Sequence, residues 1–141
     1  MKISARNQLK GTITNVAEGA VNGVVTISLG DERVKADITM ESIEKLGLTE
    51  GKPACAIIKA ANVMFATGSE RITNISARNQ LPGTIVSVKK GAVNGHVSLK
   101  MADGNVVSGS ITNAAIEDLG LEEGAAALAI IKATDVIVGV E

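Results

Sequence analysis

The chain has 141 residues, a formal net charge of −1, one cysteine and one aromatic residue, Phe65. A near-neutral balance excludes a polyanion-binding field over the surface, and a single phenylalanine excludes a platform on which nucleic-acid bases could stack. The lone Cys55 excludes an internal disulfide framework, and a small buried thiol is the expected environment.

In chain order, residues 9–16 alternate polar and β-branched side chains, the pattern of a strand. Glu18-Gly19-Ala20 and Asn22-Gly23 supply turn residues, the Asn-Gly pair suited to positive φ. Residues 24–29 form a second strand, Gly30-Asp31-Glu32 a turn, and residues 33–38 a third strand. Thr39 then caps a short helix over residues 40–46, with Ile43 and Leu46 on its inner face and Gly47 as its stop. After a turn at Glu50-Gly51, residues 54–58 make a buried apolar run, and a fifth strand starts near Asn62-Val63. Residues 66–73 read as a short linker between closely packed units.

The same order then returns. Ser4-Ala5-Arg6-Asn7-Gln8-Leu9 recurs unchanged as Ser76-Ala77-Arg78-Asn79-Gln80-Leu81, and Gly19-Ala20-Val21-Asn22-Gly23 recurs as Gly91-Ala92-Val93-Asn94-Gly95. Ile57-Ile58-Lys59-Ala60 matches Ile130-Ile131-Lys132-Ala133, Thr112 stands as the second cap, Ile116 and Leu119 line its helix, and Gly120 is the stop. A period this long marks a duplicated domain rather than a solenoid, which places units at residues 1–68 and 69–141. Three strands, a helix and two strands is the order of an OB-type barrel. The expected fold class is therefore all-β with short helices, in two tandem OB-like five-stranded barrels. Domains of this size bury little apolar surface alone, yet 45% of the chain is hydrophobic. Burial between domains and between chains is expected, hence a homo-oligomer.

The first residues lack the apolar core of a signal peptide, and no apolar run approaches the ~18 residues of a membrane span. A soluble, cytoplasmic protein without a membrane partner is expected.

Residues shared by the two copies are rich in small hydrogen-bonding types and hold no His, Cys or carboxylate cluster, a balance that favours anion binding over catalysis. Ser, Arg and Asn of the Ser-Ala-Arg-Asn segments can gather around a tetrahedral oxyanion; equally, the arginine can pair with a carboxylate while Ser and Asn satisfy backbone groups. Lys59 and Lys132 end buried strands ahead of small residues, either facing an anion or laying their stems over the barrel rim. Thr39 and Thr112 serve as helix caps at a terminus that also attracts anions. The Gly-Ala-Val-Asn-Gly segments are accounted for by turn chemistry. His96 has no histidine partner for a metal site.

Together, Ser-Ala-Arg-Asn-Gln-Leu-x-Gly-x-Ile, Gly-Ala-Val-Asn-Gly, Ile-Thr before the helix and Ile-Lys-Ala-[AT]-[ND]-Val resemble the molbindin (Mop or TOBE-type) molybdate-binding domain, over nearly the whole chain and twice. The resemblance implies a non-enzymatic, cytoplasmic molybdate-binding protein for storage or homeostasis, with tungstate as a surrogate ligand and no catalytic cofactor. It further implies three tandem chains assembled around a threefold axis, with ligands lying between domains. Carried over by motif position, the main site uses Ser4, Arg6, Asn7, Lys59 and Ala60, and in the second copy Ser76, Arg78, Asn79, Lys132 and Ala133, with Thr39 and Thr112 as further contributors. A second class of oxyanion site involves Ala20, Val21 and Asn22, and Ala92, Val93 and Asn94. The copies diverge at Ala61 against Thr134 and Asn62 against Asp135, so equivalence of the two sites is not implied. The alternatives are an OB-fold nucleic-acid binder, which the missing aromatics and basic face oppose, and a sensing module for another tetrahedral oxyanion such as sulfate.

Overall fold

A computed structural model describes residues 2–141. The first copy contributes β1 (Asn7–Ala17), β2 (Asn22–Leu29), β3 (Glu32–Thr39), α1 (Met40–Leu46), β4 (Pro53–Ile58), a 3-10 turn at Ala60–Asn62 and β5 (Met64–Thr67). The second contributes β6 (Asn79–Lys90), β7 (Asn94–Lys100), β8 (Val106–Thr112), α2 (Asn113–Asp118), β9 (Ala126–Ile131), a 3-10 turn at Ala133–Asp135 and β10 (Ile137–Gly139). Alternation drives the strands: Leu9 and Ile13 of β1 are buried while Lys10, Thr12 and Thr14 face water.

The ten strands form two antiparallel five-stranded sheets, in the orders β10-β4-β1-β2-β3 and β5-β9-β6-β7-β8. The all-β class with short helices holds, but the sheets do not coincide with the sequence repeats. The fifth strand of each copy completes the sheet of the other: Met64↔Ile130 and Phe65↔Ala129 join β5 to β9, and Ile137↔Ile57 and Val138↔Ala56 join β10 to β4. The division between residues 68 and 69 therefore separates repeats, while each sheet draws on both. One continuous core results, with Val63 and Phe65 buried in the same cluster as Val107, Val136 and Val138. Phe65 reaches across to β8, where a Cβ on Gly109 would lie 2.5 Å from its ring.

Both helices are capped as the sequence indicates. Thr39 accepts the Ser42 N–H at 3.1 Å and Thr112 accepts the Ala115 N–H at 3.1 Å, while Gly47 and Gly120 take φ of 62° and 61° just past the helices. Three local expectations change. Leu46 stays exposed, and Leu48, beyond the helix, fills the core instead, with Leu121 as its counterpart. Asn22 and Gly23 have no positive φ. Gly23 is needed for close approach, because a Cβ there would sit 2.6 Å from Cδ1 of Ile43, and Gly95 stands 2.7 Å from Ile116 in the same way. Residues 66 and 67 belong to β5 rather than to the linker.

Cys55 is half-buried on the outer face of the first sheet, not in the core. Its counterpart Leu128 is fully buried. Burial pushes the Cys55 thiol above its usual pKa of 9.0, against the opposing pull of Lys10 and with a smaller push from Glu141.

Candidate functional site

The site is set by where two ladders stop. Strands β1 and β4 pair from Thr12↔Pro53 to Asn7↔Ile58, and β6 and β9 pair from Thr84↔Ala126 to Asn79↔Ile131. The next residues along are Arg6 and Lys59 in the first copy, and Arg78 and Lys132 in the second. Two cations thus leave each sheet end side by side, all four of them exposed. Among the described residues no carboxylate pairs with any of them; the ion pairs are Lys45–Glu41 at 2.8 Å along α1 and Lys90–Glu117 at 3.3 Å between the end of β6 and α2, both solvated. Arg6 does not take the carboxylate-paired alternative. Adjacent like charges repel one another and favour an anion between them.

In the second copy, Ser76, Ala77, Arg78, Lys132, Ala133 and Thr134 line one open pocket of about 490 Å³. Its rim is apolar, formed by Met64, Ile75 and Ile130. Lys132 is extended, with φ −69° and ψ 138°, and leads into the 3-10 turn, whose first N–H groups have no partner inside the turn. Lys59 does the same ahead of Ala60, with φ −71° and ψ 139°. Ser4, Arg6, Lys59 and Ala60 stand at the corresponding places of the first copy, flanked by exposed Ile3 and Ile137, the counterparts of Ile75 and Met64.

Asn7 and Asn79 are placed differently from their neighbours. Both are buried, and their amides are bonded to protein. Asn7 Nδ2 donates to the carbonyls of Ile58 at 3.1 Å and Ser108 at 2.8 Å, and its Oδ1 accepts the Ser108 N–H at 2.7 Å. Asn79 Oδ1 accepts the Lys35 N–H at 2.7 Å and its Nδ2 donates to the Lys35 carbonyl at 2.8 Å. Each amide is spent on a strand of the other copy. This is the backbone-satisfying alternative, and it applies to Asn while the exposed Ser and Arg remain available.

Thr39 and Thr112 stand with the turns rather than with the cation pairs, since register sets them opposite Asn22 and Asn94. The Met40 N–H donates to the Val21 carbonyl and the Asn113 N–H to the Val93 carbonyl, both at 2.8 Å. Asn22 Nδ2 donates to Asp37 at 2.9 Å. Ala20 and Ala92 are exposed, and at 75% and 71% exposure Val21 and Val93 are the most open large apolar side chains described. Hairpin chemistry alone does not call for valine there; a covering surface would.

Sequence reasoning missed the apolar rim, Met64 and Ile75, although an aliphatic residue ahead of each Ser-Ala-Arg-Asn is visible in both copies. It also missed the partner of Gln80, whose amide accepts the Ile72 N–H at 2.7 Å and donates to the Ile72 carbonyl at 2.9 Å, fixing the linker against β6. Among the described residues no group of His, Cys, Asp and Glu could hold a metal ion, and no helix is long and apolar enough to cross a membrane.

Two small β-units that exchange their fifth strands, each ending in an exposed Arg–Lys couple, make a tandem-repeat architecture that known proteins share. The TOBE domain family matches residues 3–65 and again 75–138. The molybdenum transport protein ModE of Azotobacter vinelandii is 39% identical over 99% of this chain and 52% of its own length, and the molybdenum-pterin-binding protein MopA of Rhodobacter capsulatus is 38% identical over 97% and 52%. The chain thus spans about half the length of these curated relatives. A crystal structure of the cytoplasmic molybdate-binding protein ModG with molybdate bound matches with a TM-score of 0.94 at 44% identity, covering 100% of both chains. The chain belongs to the TOBE-domain family, in its tandem molbindin form, and its two sheets correspond to the tandem OB-like units of that fold.

Proposed function

We propose that this chain is a non-catalytic molybdate-binding protein, acting in the cytoplasm to store and buffer the oxyanion, and that it accepts tungstate in the same sites. The observation that carries the reading is the Arg–Lys couple at each sheet end, paired with no carboxylate among the described residues and followed by a turn that leaves backbone N–H groups open. A tetrahedral dianion matches that donor set by charge and by acceptor count. Main-site contributors are Ser4, Arg6, Lys59 and Ala60 from residues 1–68, and Ser76, Arg78, Lys132 and Ala133 from residues 69–141. The names of the relatives support molybdate over other dianions.

The apolar rim of the second copy's pocket, with Met64 and Ile75, and the exposed Ile137 and Ile3 at the matching places of the first copy support closure of the site by a second copy, and exposed Val21 and Val93 support a further contact around Ala20–Asn22 and Ala92–Asn94. A trimer of tandem chains meets both requirements. Equilibrium dialysis with metal analysis, run against molybdate, tungstate and sulfate, tests the reading alongside sedimentation. Saturable molybdate binding by a trimer, resistant to excess single-stranded oligonucleotide, is expected. Sulfate binding equal to molybdate, or salt-sensitive oligonucleotide binding that displaces the anion, would reject it.

A further inference from the structure

We propose that Asn7 and Asn79 are positioning residues of the two oxyanion pockets: each buried amide fixes the rung from which its own Arg–Lys couple departs and ties that rung to an edge strand of the other copy. The proposal rests on the oxyanion reading above.

The chemistry begins with β3 and β8, each an edge strand of its sheet. An edge strand presents N–H and C=O groups with no ladder partner, and when such an edge is covered those groups must still be satisfied. A carboxamide carries one acceptor and two donors, so it can bond both groups of a single residue as a neighbouring strand would. Asn7 does this to Ser108 and Asn79 to Lys35, and positions 35 and 108 correspond in the two copies. Ionised aspartate has no donor, and serine carries donor and acceptor on one oxygen, so neither sets the two apart as a strand backbone does.

Each Asn is also half of the last rung. Asn7 lies opposite Ile58 and bonds its carbonyl at 3.1 Å; Asn79 lies opposite Ile131. The residues immediately beyond are Arg6 and Lys59, or Arg78 and Lys132. Strand ends beyond the last rung fray whether or not they carry charge, like charges add to the tendency, and the buried amide opposes it from one residue away. A ligand site is sensitive to such displacement, because donors aimed at a small anion lose most of their value when misplaced by about 1 Å.

Asn7→Ala and Asn79→Ala in the full chain, titrated with molybdate by calorimetry, provide the first test. Each variant should weaken the site of its own copy by about 10-fold or more, the scale on which loss of an orienting partner acts, while the other copy's site keeps wild-type affinity. Both variants lose stability, so stability cannot explain a loss that changes copy with the residue replaced. Equal weakening of all sites by either variant, or a lowered Tm with unchanged affinities, would overturn the proposal. The second test needs no ligand. With Cys55→Ser as background, Arg6→Cys and Lys59→Cys place thiols one step past the last rung, within the reach of a disulfide if the strand ends stay together. Oxidised glutathione should close that bond quickly, and adding Asn7→Ala should slow closure several-fold. Closure at the same rate with and without Asn7 would sink the positioning role, whereas wild-type protein that binds no molybdate would sink the functional reading and leave this measurement standing.

Discussion

Replacing Lys132 by methionine separates an anion-facing lysine from one that merely drapes the barrel rim. The substitution keeps most of the stem beside Met64 and Ile75 and removes only the ammonium, which has no protein partner to lose. A hydrogen bond to a charged group contributes about 1.5–3 kcal/mol, so Lys132→Met should raise Kd at its site by about 10- to 150-fold. The unliganded protein should be no less stable, because relief of repulsion with Arg78 acts in the favourable direction. The liganded protein behaves oppositely: molybdate at 100 times the wild-type Kd stabilises a site by about 2.7 kcal/mol, and a 100-fold rise in Kd reduces that to about 0.4 kcal/mol. Calorimetric titration paired with thermal melts, with and without molybdate, reads both quantities. Lys59→Met should repeat the result at the first copy's site. A double variant that fills the same number of sites with wild-type affinity would refute the assignment of both lysines.

Three further outcomes follow from the fold. A fragment of residues 1–68 has β5 but lacks the strand that completes its own sheet, so it should sediment as an exchanged dimer at high concentration and lose structure on dilution; a stably folded monomer would contradict the exchanged topology. Thr26 Oγ1 is buried without a hydrogen-bond partner, and Thr26→Val should stabilise the protein by about 1 kcal/mol, measured as a higher urea midpoint; a lower one would mean the hydroxyl is satisfied. The raised pKa of Cys55 means the native state holds its proton where the unfolded chain releases it, so this contribution is complete below pH 9.0 and is lost as pH rises through the folded value. Stability should therefore fall less steeply above pH 9 in Cys55→Ala than in wild type, and thiol labelling of the native protein should lag that of the unfolded chain at pH 8.

Strands and caps were legible because each rests on local chemistry, whereas the side-by-side placement of Arg6 with Lys59 and Arg78 with Lys132 depends on strand pairing far along the chain. Alternation around Leu9 and Ile13, Thr39 ahead of a three-residue reach to Ser42, and Gly47 past the last turn are signals confined to a few residues. Strand exchange was not legible for the converse reason. Val63-Met64-Phe65 and Val136-Ile137-Val138 bury the same alternate positions whether they complete their own sheet or the other, and only the course of the 3-10 turn decides. Asn7 and Asn79 looked like ligand donors because they share a segment with exposed Ser and Arg; that the covered edges of β3 and β8 need an amide is a fact about strands 101 and 44 residues away. Cys55 was assigned to the core through its apolar counterpart Leu128, but the two faces differ in what covers them.

That difference reflects what tandem connection permits. In an exchanged pair of identical repeats, every substitution appears twice and each face must suit both of its roles. Here each substitution appears once. Lys35 stands where the other copy has Ser108, Asn62 where it has Asp135, and Lys10 and Cys55 line an open cleft of about 420 Å³ where the second copy has Pro82 and Leu128. Joining the copies frees them to diverge while the shared core holds them in register. Two strand ends built on one plan can then be tuned to different roles by mutation in one half alone.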